Sequence, residues 1–223
     1  MTLIENIHYY LPEFILSLKQ TGTMMGISMS SCLLFGLPLG VALFLSNPNI
    51  KGSQPASYWV LNFLITLVRS FPYLLFVITL IPVTRFIIGR AFGPVPASLP
   101  LSIVAVAIFA RLVEQVLLDV PEEIRLLADS LGTSKWQYIW HFLLVEARSG
   151  IVLAYTTAAV SMVSYSTVMG IVGGGGVGDF AIRYGYQSYQ TGIMYFAIVV
   201  MVVIVFIIQM LGNFIARKLD KRK

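Results

Sequence analysis

The stretch 119-DVPEEIRLLADSLGTSKWQYIWHFLLVEA-147 is the longest run dense in charge in a chain that is otherwise mostly lipid-soluble. Pro121 suits the first turn of a helix, and Glu122 and Glu123 put negative charge at its positive dipole end. Ile124, Leu127, Ala128 and Leu131 then recur at three- and four-residue steps, giving one apolar face of about three turns. Gly132 ends that helix, where a left-handed residue costs a glycine nothing. Thr133 is placed to cap a second helix whose apolar side is Trp136, Ile139, Trp140 and Leu143. Two short amphipathic helices joined by a glycine thus separate two membrane-length apolar runs. On spacing alone, a docking surface and a loop resting on lipid headgroups both fit.

Composition sets the frame around this stretch. Of 223 residues, 57% are hydrophobic and only 11% charged, too few charges for an ordinary soluble domain. Several apolar runs reach the ~20 residues that cross a bilayer as a helix. The expected fold is an all-α membrane protein, a single domain over 1–223 with five spans near 21–46, 58–83, 101–118, 151–172 and 191–215. The single cysteine, Cys32, excludes an intrachain disulfide framework. The net charge of +5 gives no reason to expect nucleic acid, since its largest cluster is a short C-terminal tail.

Residues 1–19 lack the basic start, short apolar core and small-residue site of a cleavable signal, and read as an interfacial helix leading into the first span. Gly22-x-x-x-Gly26 and Gly36-x-x-x-Gly40 permit close helix packing within that span. Asn47-Pro48-Asn49 and Gly52–Pro55, with Lys51, read as a loop. In 58–83, Tyr58, Asn62, Thr66 and Arg69 share one helical face, and Ser70-Phe71-Pro72 predicts a break. Arg69 then either ends an interfacial segment or faces the bundle interior. Gly89–Pro100, with three prolines, reads as a loop, and Arg111 and Glu114 one turn apart read as a structural pair.

The fourth run carries Tyr155, Thr156, Ser161, Ser164, Tyr165, Ser166 and Thr167, more hydroxyls than a lipid-facing helix needs. Steps of three and four place Ser161, Tyr165, Val168 and Met169 on one face. That face is the candidate lining and gate of a path, with packing against the fifth span as the alternative. Gly173–Gly178, GGGGVG, has the letters of a dinucleotide loop but follows a membrane span and lacks a distant acidic residue. It reads as a flexible external turn, followed by an aromatic belt at Tyr184, Tyr186 and Tyr189.

The central stretch resembles the cytoplasmic loop of ATP-binding-cassette importer permeases, whose signature is Glu-Ala-Ala, three residues, Gly, nine residues, Ile-x-Leu-Pro. Ala128, Gly132 and Leu144 match, whereas Leu126 and Leu127 stand for Glu-Ala, Phe142 for Ile and Val145 for Pro. Two longer stretches, RSFPYLLFVITLIPVTRFIIGR (69–90) and YSTVMGIVGGGGVGDFAIRYGYQSY (165–189), resemble the methionine-importer branch. The resemblance implies a type I importer permease fold, with Ala128, Gly132, Thr133, Trp136 and Leu144 coupling to an ATPase. It also implies two ATP-binding subunits, a second copy of the chain, an extracytoplasmic solute-binding protein and surrounding membrane lipid. Methionine is the implied solute, with another amino acid or small solute, or a passive channel or scaffold, as alternatives.

Placing the tail inside puts Lys51, Arg125, Lys135, Arg148, Arg217, Lys218, Lys221, Arg222 and Lys223 in the cytoplasm, against Lys19, Arg85, Arg90 and Arg183 outside. That excess predicts an external N-terminus, a cytoplasmic C-terminus and a multi-pass protein of the bacterial inner membrane. His8 and His141 stand in no metal-ligand spacing and no nucleophile elbow or H-E-x-x-H occurs, so no metal, cofactor or catalytic group is expected. Uphill transport would then draw its energy from a partner.

Overall fold

The computed structural model describes residues 3–48, 50 and 55–220. The loop read at 52–55 with Lys51 therefore lies almost wholly outside the described residues, as do Lys221, Arg222 and Lys223 of the tail. Every regular element among the described residues is helical: α1 (Leu3–Ser31), α2 (Leu37–Ser46), α3 (Pro55–Ser70), α4 (Tyr73–Ile88), α5 (Pro94–Leu118), α6 (Glu122–Ser130), α7 (Lys135–Gln137), α8 (Leu144–Met169), α9 (Val177–Phe180) and α10 (Thr191–Leu219). Wider π-helical turns at Cys32–Gly36, Tyr138–Leu143 and Ala181–Gln187 join α1 to α2, α7 to α8 and α9 to the approach of α10.

Among the described residues, four of the resulting rods are long and apolar enough to cross a membrane, and a bent pair, α3 with α4, passes the same test when taken together, for up to five spans. The expected break falls where Pro72 predicts it, with the two helices at 108°. Proline disfavours helical geometry in the residue before it, so Phe71 leaves the helix and the chain turns. Arg69 at the end of α3 is exposed rather than turned into the helical core.

α5 is the axis of the bundle. Leu101, Val104, Ala105, Phe109, Val113 and Leu117 repeat at helical spacing, are all buried, and meet α1, α2 and α8. α2 can lie this close because Gly40 has no side chain: a Cβ there would sit 2.6 Å from the Val113 Cβ and 2.7 Å from the Ala110 carbonyl. Gly36 sits similarly tight against Phe109. Gly22 and Gly26 face nothing within 4 Å among the described residues, so of the two glycine spacings it is the second that packs among them.

Three expectations about boundaries are corrected. α1 does not divide into an interfacial helix and a span, because 6–46 is one continuous rod. Pro12 does not stop it, lying on the exposed side where the freed carbonyl stays solvated. The loop expected at Gly89–Pro100 shrinks to Gly89–Gly93, since Pro94 and Pro96 occupy the first turn of α5, where no backbone donor is needed. The second amphipathic helix is likewise not a separate piece, because 135–169 is one continuous rod.

The Gly173–Gly178 segment is not a flexible turn. Gly173, Gly175 and Gly176 adopt left-handed φ of 79°, 76° and 89°. A Cβ at Gly178 would collide with the Thr167 backbone, and one at Gly170 with the Asp179 backbone. From α1, Gln20 Oε1 accepts the Gly176 N–H at 2.8 Å and Thr21 Oγ1 accepts the Val177 N–H at 3.0 Å. The glycines serve close backbone approach, and the loop is bolted to the first helix.

Candidate functional site

The central stretch folds as a bracket at one end of the bundle. Glu122 and Glu123 lie in the first turn of α6, with Pro121 as its N-cap. Gly132 takes φ 66°, and the chain reverses into α7. The cap of α7 is Ser134 rather than Thr133. Ser134 Oγ accepts the Gln137 N–H at 3.3 Å while Gln137 Oε1 accepts the Ser134 N–H at 2.8 Å, a reciprocal capping box. Thr133 instead donates Oγ1–H to the Ala128 carbonyl at 3.0 Å, closing the end of α6.

The expected apolar faces divide when the helices pack. Ala128, Ile139 and Leu143 are buried, and Leu144 is half-buried against the core. Leu127, Leu131, Trp136 and Trp140 remain 50%, 64%, 72% and 59% exposed. Leu126, which departs from the family signature, joins them as an exposed apolar side chain. The residues expected to couple therefore fall into a supporting set, Ala128, Thr133 and Leu144, and a displayed set, Gly132 and Trp136. Leu126 and Trp140 complete the displayed surface. The sequence signal for Leu126 was an apolar residue on the otherwise charged side of α6. Large apolar side chains held out on a hydrogen-bonded bracket mark an interaction surface. Behind it, burial pushes the Tyr138 phenol above its ordinary range, with Arg125 opposing and Asp129 reinforcing the shift.

α8 carries the candidate path. Its hydroxyls mostly bond to its own backbone: Ser161 donates to the Thr157 carbonyl at 2.9 Å, Ser166 to Val163 at 2.7 Å and Thr167 to Ser164 at 2.7 Å. The four residues expected on one face part company. Met169 is fully buried in the core, and the Tyr165 ring packs on Tyr73 of α4 with centroids 4.5 Å apart. Val168 instead lines an open apolar groove of about 550 Å³ with Ser164, Thr167 and Ile171 on one wall and Ile198, Met201 and Val202 of α10 on the other. Ser161 sits half-buried between the two sides.

A polar cluster fixes the same end of the bundle as the bracket. Arg111 Nη1 meets Glu114 Oε2 at 2.6 Å, and its Nη2 donates to Asn62 Oδ1 on α3. Asn47, just past α2, donates Nδ2–H to Glu114 Oε1 at 3.2 Å. Sequence spacing found the Arg111–Glu114 pair; the two asparagines that complete it come from other helices.

Residues 36–223 match the family model described as binding-protein-dependent transport system inner membrane component. A probable D-methionine transport system permease protein of Haemophilus influenzae is 37% identical over 199 residues, 88% of this chain and 93% of that one. A methionine import system permease protein of Bacillus subtilis is 32% identical over 180 residues, 81% of each chain. Among solved structures, a chain of the inward-facing MetNI methionine ABC transporter superposes with a TM-score of 0.91 at 30% identity, covering 99% of this chain and 100% of that chain. A chain of an amino acid ABC transporter with histidines gives 0.74 at 17% identity, a likeness of fold.

Proposed function

This chain belongs to the binding-protein-dependent transport system inner membrane components, and from that premise we propose that it is the membrane permease subunit of an ATP-driven methionine importer. It is a multi-pass inner-membrane protein with the type I importer fold, and not itself an enzyme. Two copies of the chain work with two ATP-binding subunits and an extracytoplasmic solute-binding protein.

The observation that carries the coupling is the bracket at 119–147, which holds Leu126, Leu127, Leu131, Trp136 and Trp140 out to solvent on a capped, glycine-jointed frame. An ATPase docked there pushes on α7, which continues without a break into α8. Motion of the partner therefore reaches the candidate path through a single rod. Gly132 sets the angle of the bracket, Ala128 and Thr133 hold its corner, and Trp136 makes the contact. Leu144 joins it to the core. The gate proposal keeps Ser161, Tyr165, Val168 and Met169, with Ser161 and Val168 bordering the open side of α8 and Tyr165 and Met169 bracing them from behind. In this reading 1–223 is one permease domain with its N-terminus outside and its C-terminus in the cytoplasm, as the basic residues favour.

Reconstitution with the cognate ATPase and binding protein tests the function. Loaded binding protein should stimulate ATP hydrolysis and drive uptake of labelled methionine, and unlabelled methionine should compete better than other amino acids. Solute flux without ATP or binding protein would overturn coupling. Stronger competition by another amino acid would overturn the substrate.

A further inference from the structure

A second apolar groove, of about 550 Å³, lies between the first rod, α4 and α5 at the end of the bundle away from the bracket. Ile27, Ser31 and Phe35 line it from the first rod, Ile87 and Ile88 from α4, and α5 from Val95 to Val106. Its hydroxyl protons are already spent on the protein. Ser31 donates to the Ile27 carbonyl at 2.9 Å, Ser98 to the Val95 carbonyl at 2.7 Å and Ser102 to Ser28 Oγ at 3.4 Å. What the groove leaves uncovered is hydrocarbon, with Phe35 65% and Ile87 62% exposed. A polar solute would find no free donor there, whereas an apolar chain has no hydrogen bond to lose.

The depth of the groove follows from the packing of α5, α8 and α10. At the bracket end, Arg148 and Ser149 donate to the Leu219 and Ala216 carbonyls, each at 3.0 Å, beside Arg217 and Lys218. A Cβ on the adjoining Gly150 would lie 2.5 Å from Val116, so Val116 of α5 stands at the same level. From Val116 back to Pro96 is about 30 Å along the helix, the thickness of a hydrocarbon core. Val95 to Val106 is about 16 Å, close to half of that thickness and so the reach of one lipid leaflet. The Gly89–Gly93 turn then falls at headgroup depth.

Two cations stand at this mouth. Arg90 is in the turn and Arg85 lies one turn before Ile88 on α4, both exposed, and neither meets a carboxylate among the described residues. The groove beside Val168 differs, since Arg183 next to it is bound to Asp179 at 2.8 Å. We infer that the groove between α1, α4 and α5 holds one acyl chain of an anionic phospholipid, whose phosphate is met by Arg85 and Arg90. A long arginine reaches the headgroups from a position slightly inside the hydrocarbon. A zwitterionic headgroup would bring its own cation up to these two, so a net negative one is preferred. The chain also has a structural task. Val77 and Thr84 are the buried side chains of α4, so its far end rests on whatever fills the groove.

The test uses the transporter assembled with its ATPase, in nanodiscs of phosphatidylcholine with increasing fractions of phosphatidylglycerol. Phosphatidylglycerol should raise the thermal stability of the wild type, and native mass spectrometry should show it retained in preference to phosphatidylcholine. The Arg85→Gln, Arg90→Gln pair should need about tenfold more phosphatidylglycerol for half of that rise, with unchanged stability in phosphatidylcholine alone. Arg217→Gln with Lys218→Gln removes the same charge at the bracket end and should respond as wild type. Ile103→Phe, which fills the groove and keeps both cations, should abolish the response; if it does not assemble, the arginine pair still decides. Equal stabilisation by the two lipids overturns the inference, as does an arginine pair that responds as wild type or no worse than the bracket-end control. A disulfide-linked pair of chains through Ile103→Cys, in a Cys32→Ala background, would give the groove to a second copy and overturn it too.

Discussion

Arg111 and Glu114 would be costly alone at this depth; Glu114 is 2% exposed, and each has a second partner, Asn62 or Asn47. Removing one charge leaves the other buried without its mate, at a cost of roughly 3–5 kcal/mol, whereas replacing both with apolar residues is often near neutral. Arg111→Met should therefore lower thermal stability in detergent more than the Arg111→Met, Glu114→Leu pair does. Equal losses in single and double variants would show that the cluster is not coupled. Gly132 gives a second test at this scale. A Cβ there meets nothing within 4 Å among the described residues, so the obstacle they present to substitution is φ 66°. Gly132→Val should strain the joint by roughly 1–2 kcal/mol, whereas Gly132→Asn should not. The valine variant should insert normally yet lose transport and co-purification of the ATPase, with the asparagine variant near wild type. Normal uptake in Gly132→Val would remove the joint from the coupling mechanism.

Among the elements, α8 carries both packing and path, and its two sides separate the roles of neighbouring residues. Met169 is fully buried, so Met169→Ala should cost ~2–5 kcal/mol of stability and leave resting vesicles tight. Val168 faces the open groove beside α10, so Val168→Ala should cost much less and, if the gate lies there, leak small solutes without ATP. Dye-release assays and thermal melts on the two variants distinguish the cases. Tight vesicles with Val168→Ala would move the gate elsewhere. α7 and α8 form one rod because nothing between Lys135 and Met169 breaks it; the π turn at Tyr138–Leu143 widens the helix without ending it. The residue pattern suggests a separate amphipathic helix and a span beginning near 151, because an uninterrupted helix carries no mark between its amphipathic and membrane parts.

For the molecule as a whole, orientation is the claim most open to measurement. In a Cys32→Ala background, Tyr186→Cys should react with a membrane-impermeant thiol reagent in intact cells, and Lys218→Cys should not. Both positions are exposed, so access depends only on the side of the membrane. The reverse pattern would invert the topology and put the bracket outside, beyond reach of an ATPase. The Gly173–Gly178 loop and the bracket lie at opposite ends of the bundle, with α5 and α8 running between them. In the proposed orientation the bracket is the end that an ATPase can reach.

The sequence by itself determined the membrane class, the break at Pro72, the glycine joint at Gly132 and the Arg111–Glu114 pair. Each is fixed by near neighbours: apolar length, a proline's ring, a residue without Cβ, or two charges one turn apart. Tertiary structure decided which members of an apolar face are covered. Periodicity put Trp136, Ile139, Trp140 and Leu143 together, and only the position of the adjoining helices buried two and displayed two. It also decided that GGGGVG is packed rather than loose, because the need for glycine arises from Thr167, Gln20 and Thr21, the last two more than 150 residues away in the chain. A face is a local property. The surface that covers it comes from distant parts of the chain, and burial is settled when they meet.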